Sequence, residues 1–359
     1  MFSETRNRRL VLKHFLLAAS LALFCSLTMP RANAQWWNPM DPTPPKYRGT
    51  AFETKPKYDH QLLSTAQSAI WQFMLDEDFA KIDRMYDEFM KAPIRASEGI
   101  LMIDAFRRAL GNLFMVKEEA DLTRFFAVWR EKSPDSRLRP VAQADMWQAL
   151  AWKARGSAGS SRVTPEGKDL FQERLRLASR ALEASADVGK DDPLWYWVAL
   201  IVAGSSARPA AQFDALYDEA VTKFPAYLPL YYTRLNYLLP QWGGDWDAVD
   251  AFVQDAVKRT RATEGTTMYA WLYTDAFMKI DGNPFEVTKA RWPALRASFE
   301  DMVKRYPDAY NRQLYLTYAC LARDKETTGR LMTQNPGDVA FQRYGLTTEG
   351  CRRMAFERT

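Results

Sequence analysis

Apolar residues recur at steps of three and four along most of this chain, the spacing that lines one face of an α-helix. Phe213, Leu216, Tyr217, Ala220, Val221 and Phe224 form one such stripe, and Tyr269, Leu272, Tyr273, Ala276, Phe277 and Ile280 form another. Leu228, Tyr231, Tyr232, Leu235, Leu238 and Leu239 make a third. Pro240 and Gly243-Gly244 stop that helix, and Asp245 caps the next. The pattern predicts helices near 61-75, 77-91, 97-114, 118-132, 138-155, 165-186, 193-204, 209-224, 227-239, 246-261, 267-280, 292-306, 309-322 and 325-333, with a weaker one after 339. No segment shows convincing strand alternation. Short polar turns make the sequential neighbour the partner of each stripe, so the expected fold is all-α, with antiparallel helical hairpins stacked on one another.

The first 34 residues read differently. A basic start (Arg6, Arg8, Arg9, Lys13), an apolar run from Phe15 to Leu27 and the small residues Ala32-Asn33-Ala34 predict a signal peptide over 1-34. Its Arg8-Arg9 pair suits either an ordinary or a twin-arginine leader, and bulky Phe24 before Cys25 argues against a lipoprotein signal. No later stretch approaches the roughly 20 apolar residues of a membrane span, so the mature chain is expected to be periplasmic or secreted without a transmembrane segment. Pro39, Pro42, Pro44, Pro45 and Pro56 predict an extended arm over 35-59. The helical pattern then runs through 60-155 and 164-359, separated by the small residues of 156-163, which read as a long loop or a linker.

Composition sharpens this. The chain has 359 residues, 47% of them hydrophobic, which is ample for a packed core. Its formal net charge of +5 belongs largely to the leader: without residues 1-34 the balance is 44 basic to 43 acidic. A near-neutral chain lacks the broad positive field of nonspecific nucleic-acid binding. Cys320 and Cys351 then remain, an even pair in an oxidising compartment, and a disulfide is expected, with two separate buried thiols as the alternative.

Familiar chemistry is scarce. Beyond the leader the sole histidine is His60, so histidine metal pairs and most hydrolase triads lack their material, and neither a metal nor a cofactor is predicted. Gly243-Gly244 beside a helix start invites a phosphate-loop reading, but no Gly-Lys-Ser/Thr follows, and Asp245 and Asp247 would repel an anion there. Those two aspartates, near Trp242 and Trp246, offer the alternative of a carboxylate pair acting on glycans. The favoured reading draws on Tyr227, Tyr231, Tyr232, Trp242, Trp246, Tyr269 and Trp271 as a source of rigid contact area for a ligand. The candidate binding residues are Tyr232, Trp242, Trp246, Tyr269 and Trp271, with no catalytic residue; packing is expected to claim about two-thirds of the seven aromatics, which makes Trp242, flanking a turn, and Tyr232, with its hydroxyl, the better exposed candidates.

With Pro225 set as a closing proline, Trp197, Leu200, Tyr217 and Ala220 fall at the aromatic, leucine, aromatic and alanine positions of a tetratricopeptide repeat. Ile201, Gly204 and Phe213 depart from it, and Tyr306-Pro307 echoes Phe224-Pro225 at a different spacing. The segments YLPLYYTRLNYLLPQWGGDWDAVDAF and YACLARDKETTGRLM resemble an uncharacterised family of exported bacterial proteins with degenerate tetratricopeptide-like repeats, mainly over residues 190-357. That resemblance implies a tetratricopeptide-like solenoid and no reaction. Together with the missing catalytic residues it points to a scaffold that binds an envelope protein, peptide or glycan.

Overall fold

The computed structural model describes residues 62–156, 162–206, 209–334 and 343–357. The expected leader, the Pro-rich arm, His60 and most of 156-163 lie outside the described residues. Seventeen α-helices fill the remainder, and among the described residues the only extended pairing is an isolated bridge between Arg95 and Leu101. In chain order they are α1 (Leu62–Leu75), α2 (Phe79–Lys91), α3 (Asp104–Val116), α4 (Glu119–Lys132), α5 (Leu138–Arg155) and α6 (Pro165–Ala184). Then come α7 (Ala186–Gly189), α8 (Pro193–Ser205), α9 (Ala210–Lys223), α10 (Leu228–Leu238), α11 (Trp246–Glu264) and α12 (Thr267–Phe277). The last are α13 (Pro284–Val287), α14 (Trp292–Arg305), α15 (Ala309–Leu321), α16 (Lys325–Gln334) and α17 (Thr348–Phe356). Among the described residues no helix is long and apolar enough to cross a membrane.

Local chemistry sets the boundaries. Prolines open α6, α8, α10 and α14 in the first turn, where no amide bond is lost. Side chains of Thr164, Asp192, Asp245 and Asp308 accept hydrogen bonds from free amides at their helix starts. The Gly243-Gly244 turn acts as punctuation: Gly243 takes φ 93°, and a Cβ on Gly244 would lie 2.0 Å from the Leu238 carbonyl oxygen.

Helices pack mainly against near neighbours in sequence. α1 with α2, α5 with α6, α8 with α9, α11 with α12 and α16 with α17 form hairpins, and α12 also packs on α14. A second set of contacts runs side by side through α1, α3, α5, α8, α10 and α12 in order, making one continuous row. The stripes read from sequence supply both interfaces: Phe213, Tyr217, Ala220 and Val221 of α9 are buried, as are Leu228, Tyr231 and Leu235 of α10. Gly204 departs from the repeat pattern for a visible reason. A Cβ there would meet the Tyr237 ring at 2.3 Å, and the Tyr237 hydroxyl reaches past it to the Ile201 carbonyl at 3.2 Å.

One segment does not follow the predicted helix over 97-114. Residues 92-103 fold back on themselves, with the Met102 amide bonded to the Ile94 carbonyl at 2.8 Å, and α3 starts only at Asp104. This segment reaches the far half of the chain. Arg95 pairs with buried Glu264, Ser97 donates to Asp308 at 2.6 Å, and the Asn311 side chain donates to the Glu98 carbonyl at 3.3 Å. Gly99, at φ 94°, lies against the rings of Trp271 and Tyr306. At the C-terminal end, Cys320 of α15 and Cys351 of α17 form a disulfide, both cysteines buried.

Candidate functional site

The row α3, α5, α8, α10 and α12 carries a group of polar side chains. Asp104, the first residue of α3, is only 2% exposed. Three and four residues on, Arg107 and Arg108 stand on the same helical face and turn back to it. The Arg107 guanidinium bonds both carboxylate oxygens, at 2.5 and 3.0 Å, and Arg108 Nε reaches one of them at 2.8 Å. Tyr227, at the start of α10, donates to the same carboxylate at 3.5 Å. Burial opposes ionisation of Asp104, but the two guanidiniums outweigh it and hold the pKa at about 2.

Around this triad stand groups from the neighbouring helices. The Arg107 guanidinium lies 5.3 Å from the ring centroid of half-buried Trp197 on α8. Half-buried Tyr232 of α10 is within electrostatic reach of Asp275, Tyr310, Asp104 and Arg108. Lys279, just after α12, donates to Asn236 of α10 at 2.5 Å and pairs with Asp275. On α5, Asp145 is 4% exposed and accepts one hydrogen bond, from Gln148 at 2.6 Å. Burial drives its pKa up to about 7, against the pull of that hydrogen bond and of Arg107.

The candidate residues read from sequence are dispersed by the fold. Tyr232 joins the polar row. Trp271 is buried against Tyr306, with ring centroids 5.5 Å apart, and Tyr269 is buried with its hydroxyl accepting from the Arg291 amide at 3.1 Å. Tyr227 and Tyr231 are fully buried, and Trp246 packs half-buried against the core. Trp242 is 51% exposed and meets Trp152 edge-on at 6.0 Å, at the far ends of α10 and α5. Both aspartates of the Trp-Gly-Gly turn are exposed and engaged: Asp245 accepts from the Ala248 amide at 2.7 Å, and Asp247 pairs with Lys289 at 2.9 Å.

Asp104, Arg107, Arg108, Asp145, Trp197, Asn236 and Lys279 belong to this polar group and are not among the binding candidates read from sequence. The spacing of Asp104 with Arg107 and Arg108 is the signal that could have found them, since one carboxylate with cations three and four residues on is a local pattern. No family model matches the chain, nor does any curated protein or solved structure.

Proposed function

We propose that the chain is an exported, periplasmic or secreted scaffold whose hairpins form a tetratricopeptide-like solenoid, binding a protein, peptide or envelope glycan along the row α3, α5, α8, α10 and α12. One observation carries this reading: half-exposed Arg107, Arg108, Trp197, Tyr232, Asn236 and Lys279 sit on three members of a single row, α3, α8 and α10, and just past the end of a fourth, α12. Stacked hairpins present such a row as one extended contact surface. The Cys320–Cys351 disulfide fits an oxidising compartment.

Site-specific photo-crosslinking in intact cells tests it. A crosslinker at Asn236 should trap a discrete envelope partner, whereas one at exposed Lys258 of α11 should not. Equal trapping at both positions, or at neither, would sink the reading.

A further inference from the structure

The two arginines on Asp104 are more than that carboxylate needs. One guanidinium neutralises a buried carboxylate, and Arg107 already does so through two hydrogen bonds. Arg108 adds a second positive charge through Nε alone. Its two terminal nitrogens, and Nη1 of Arg107, hydrogen-bond to no other described residue. Both side chains are reachable, at 29% and 34% exposure. Asp104 therefore orients two guanidiniums by their inner edges and leaves the outer edges free.

The surroundings add to this. The Arg107 guanidinium lies over the Trp197 ring, and Tyr232, whose hydroxyl has no hydrogen bond to another described residue, is within electrostatic reach of Arg108. Asp275 is matched by Lys279. Two further acids are in electrostatic reach, Asp145 of Arg107 and Glu98 of Arg108; burial raises the pKa of both, that of Asp145 to about 7, so they offset the extra charge only in part.

We propose that Arg107, Arg108 and Tyr232 form a carboxylate-binding site for an acidic peptide, taking either a side-chain or a C-terminal carboxylate. The planar fork of a guanidinium matches the two oxygens of a carboxylate. A peptide fits better than a glycan: Arg107 already covers one face of Trp197, which takes that face away from stacking on a sugar ring. This assignment names the ligand chemistry of the scaffold reading and rests on it.

Titration of the full mature chain by calorimetry, with four probes, tests the site. Hexaglutamate amide carries side-chain carboxylates, hexaalanine with a free C-terminus carries only the terminal one, hexaglutamine amide carries neither, and tetragalacturonate carries carboxylates on a glycan. At least one of the first two should bind, and hexaglutamine amide should not. Which of the two binds tells side-chain from terminal recognition. Arg108→Gln leaves the Asp104–Arg107 pair intact, so the fold should survive by circular dichroism while affinity drops roughly 10- to 100-fold, the range for losing charge-assisted hydrogen bonds. Tyr232→Phe should weaken binding a few-fold.

No binding by either carboxylate peptide, undiminished binding by Arg108→Gln, or binding confined to tetragalacturonate overturns the proposal. Crosslinking at Asn236 in the otherwise unaltered chain separates the two readings. A trapped partner with no carboxylate-peptide binding removes this site and keeps the scaffold; peptide binding with no trapped partner removes the scaffold reading and, with it, the role given to this site.

Discussion

Replacing Gly99 by alanine probes the contact that joins the two halves of the chain, and Gly243 provides an internal control. The two glycines have nearly the same backbone twist, φ 94° and 93°, but opposite surroundings. A Cβ on Gly99 would lie 2.9 Å from the Trp271 ring and 2.9 Å from the Tyr306 ring, while one on Gly243 meets nothing within 4 Å. Forcing an L-residue into this region costs about 1 to 2 kcal/mol at either position. Overpacking against two buried rings adds about 1 to 3 kcal/mol at Gly99 alone. The expected loss is therefore about 2 to 5 kcal/mol for Gly99→Ala and about 1 to 2 kcal/mol for Gly243→Ala, each reduced slightly by the stiffer unfolded chain. Urea unfolding followed by far-ultraviolet circular dichroism measures both, with the m-values compared to check that the denatured state is unchanged. A Trp271→Leu background should recover part of the Gly99→Ala loss, because the two sites touch and their effects do not add. If the two glycine variants agree within about 0.5 kcal/mol, the scatter between independent sites, then residues 92-103 do not pack against α12 and α14 as described.

Three further outcomes follow from named contacts. The Cys320–Cys351 bond closes a loop of 31 residues, so Cys320→Ser should cost about 3 to 4 kcal/mol on the chain-entropy account. Thiol reagent should label neither cysteine in native, unreduced protein, and labelling of both would contradict the bond. Asp145 is raised from 3.8 to about 7 by burial, so the folded state holds a proton that the unfolded state releases. Its contribution is intact below about pH 4 and is lost as pH rises through 7, which makes Asp145→Asn gain about 2 to 3 kcal/mol relative to the native chain between pH 5 and 8; a constant difference refutes the assignment. Asp245→Ala removes the cap on the Ala248 amide and should cost about 1 kcal/mol, with the helix content otherwise preserved.

What could be read from the sequence was what local chemistry decides. The stripe of α9 and the turn from Gly243 to Asp245 each act within a few residues, and each stands where the pattern placed it. Cys320 and Cys351 were legible as a pair because no third cysteine follows the leader. The segment 92-103 was not legible, for a physical reason. Ile100, Leu101, Met102 and Ile103 look like the start of a helix, yet the partners that hold them otherwise, Glu264 for Arg95 and Asp308 for Ser97, lie 169 and 211 residues away. The aromatic candidates failed to gather for a related reason: a periodic stripe shows that a face is covered without showing by what. Tyr269 and Trp271 share α12 with the row, but their rings are spent on Tyr273 and Tyr306.

The same long-range contacts bear on how a binding surface could work. An array of hairpins that touch only their neighbours flexes along its length, because each interface opens independently. Here residues 92-103 tie the start of α3 to the turn between α11 and α12 and to the start of α15. The row from α3 to α12 is thereby fixed at both ends, and Asp104, which begins immediately after the tie, holds Arg107 and Arg108 in one orientation. A surface ordered before its ligand arrives loses less entropy on binding. The buried polar contacts around Gly99 therefore matter to the proposed site: loosening the tie should weaken ligand binding through the orientation of the arginines, without removing a ligand contact.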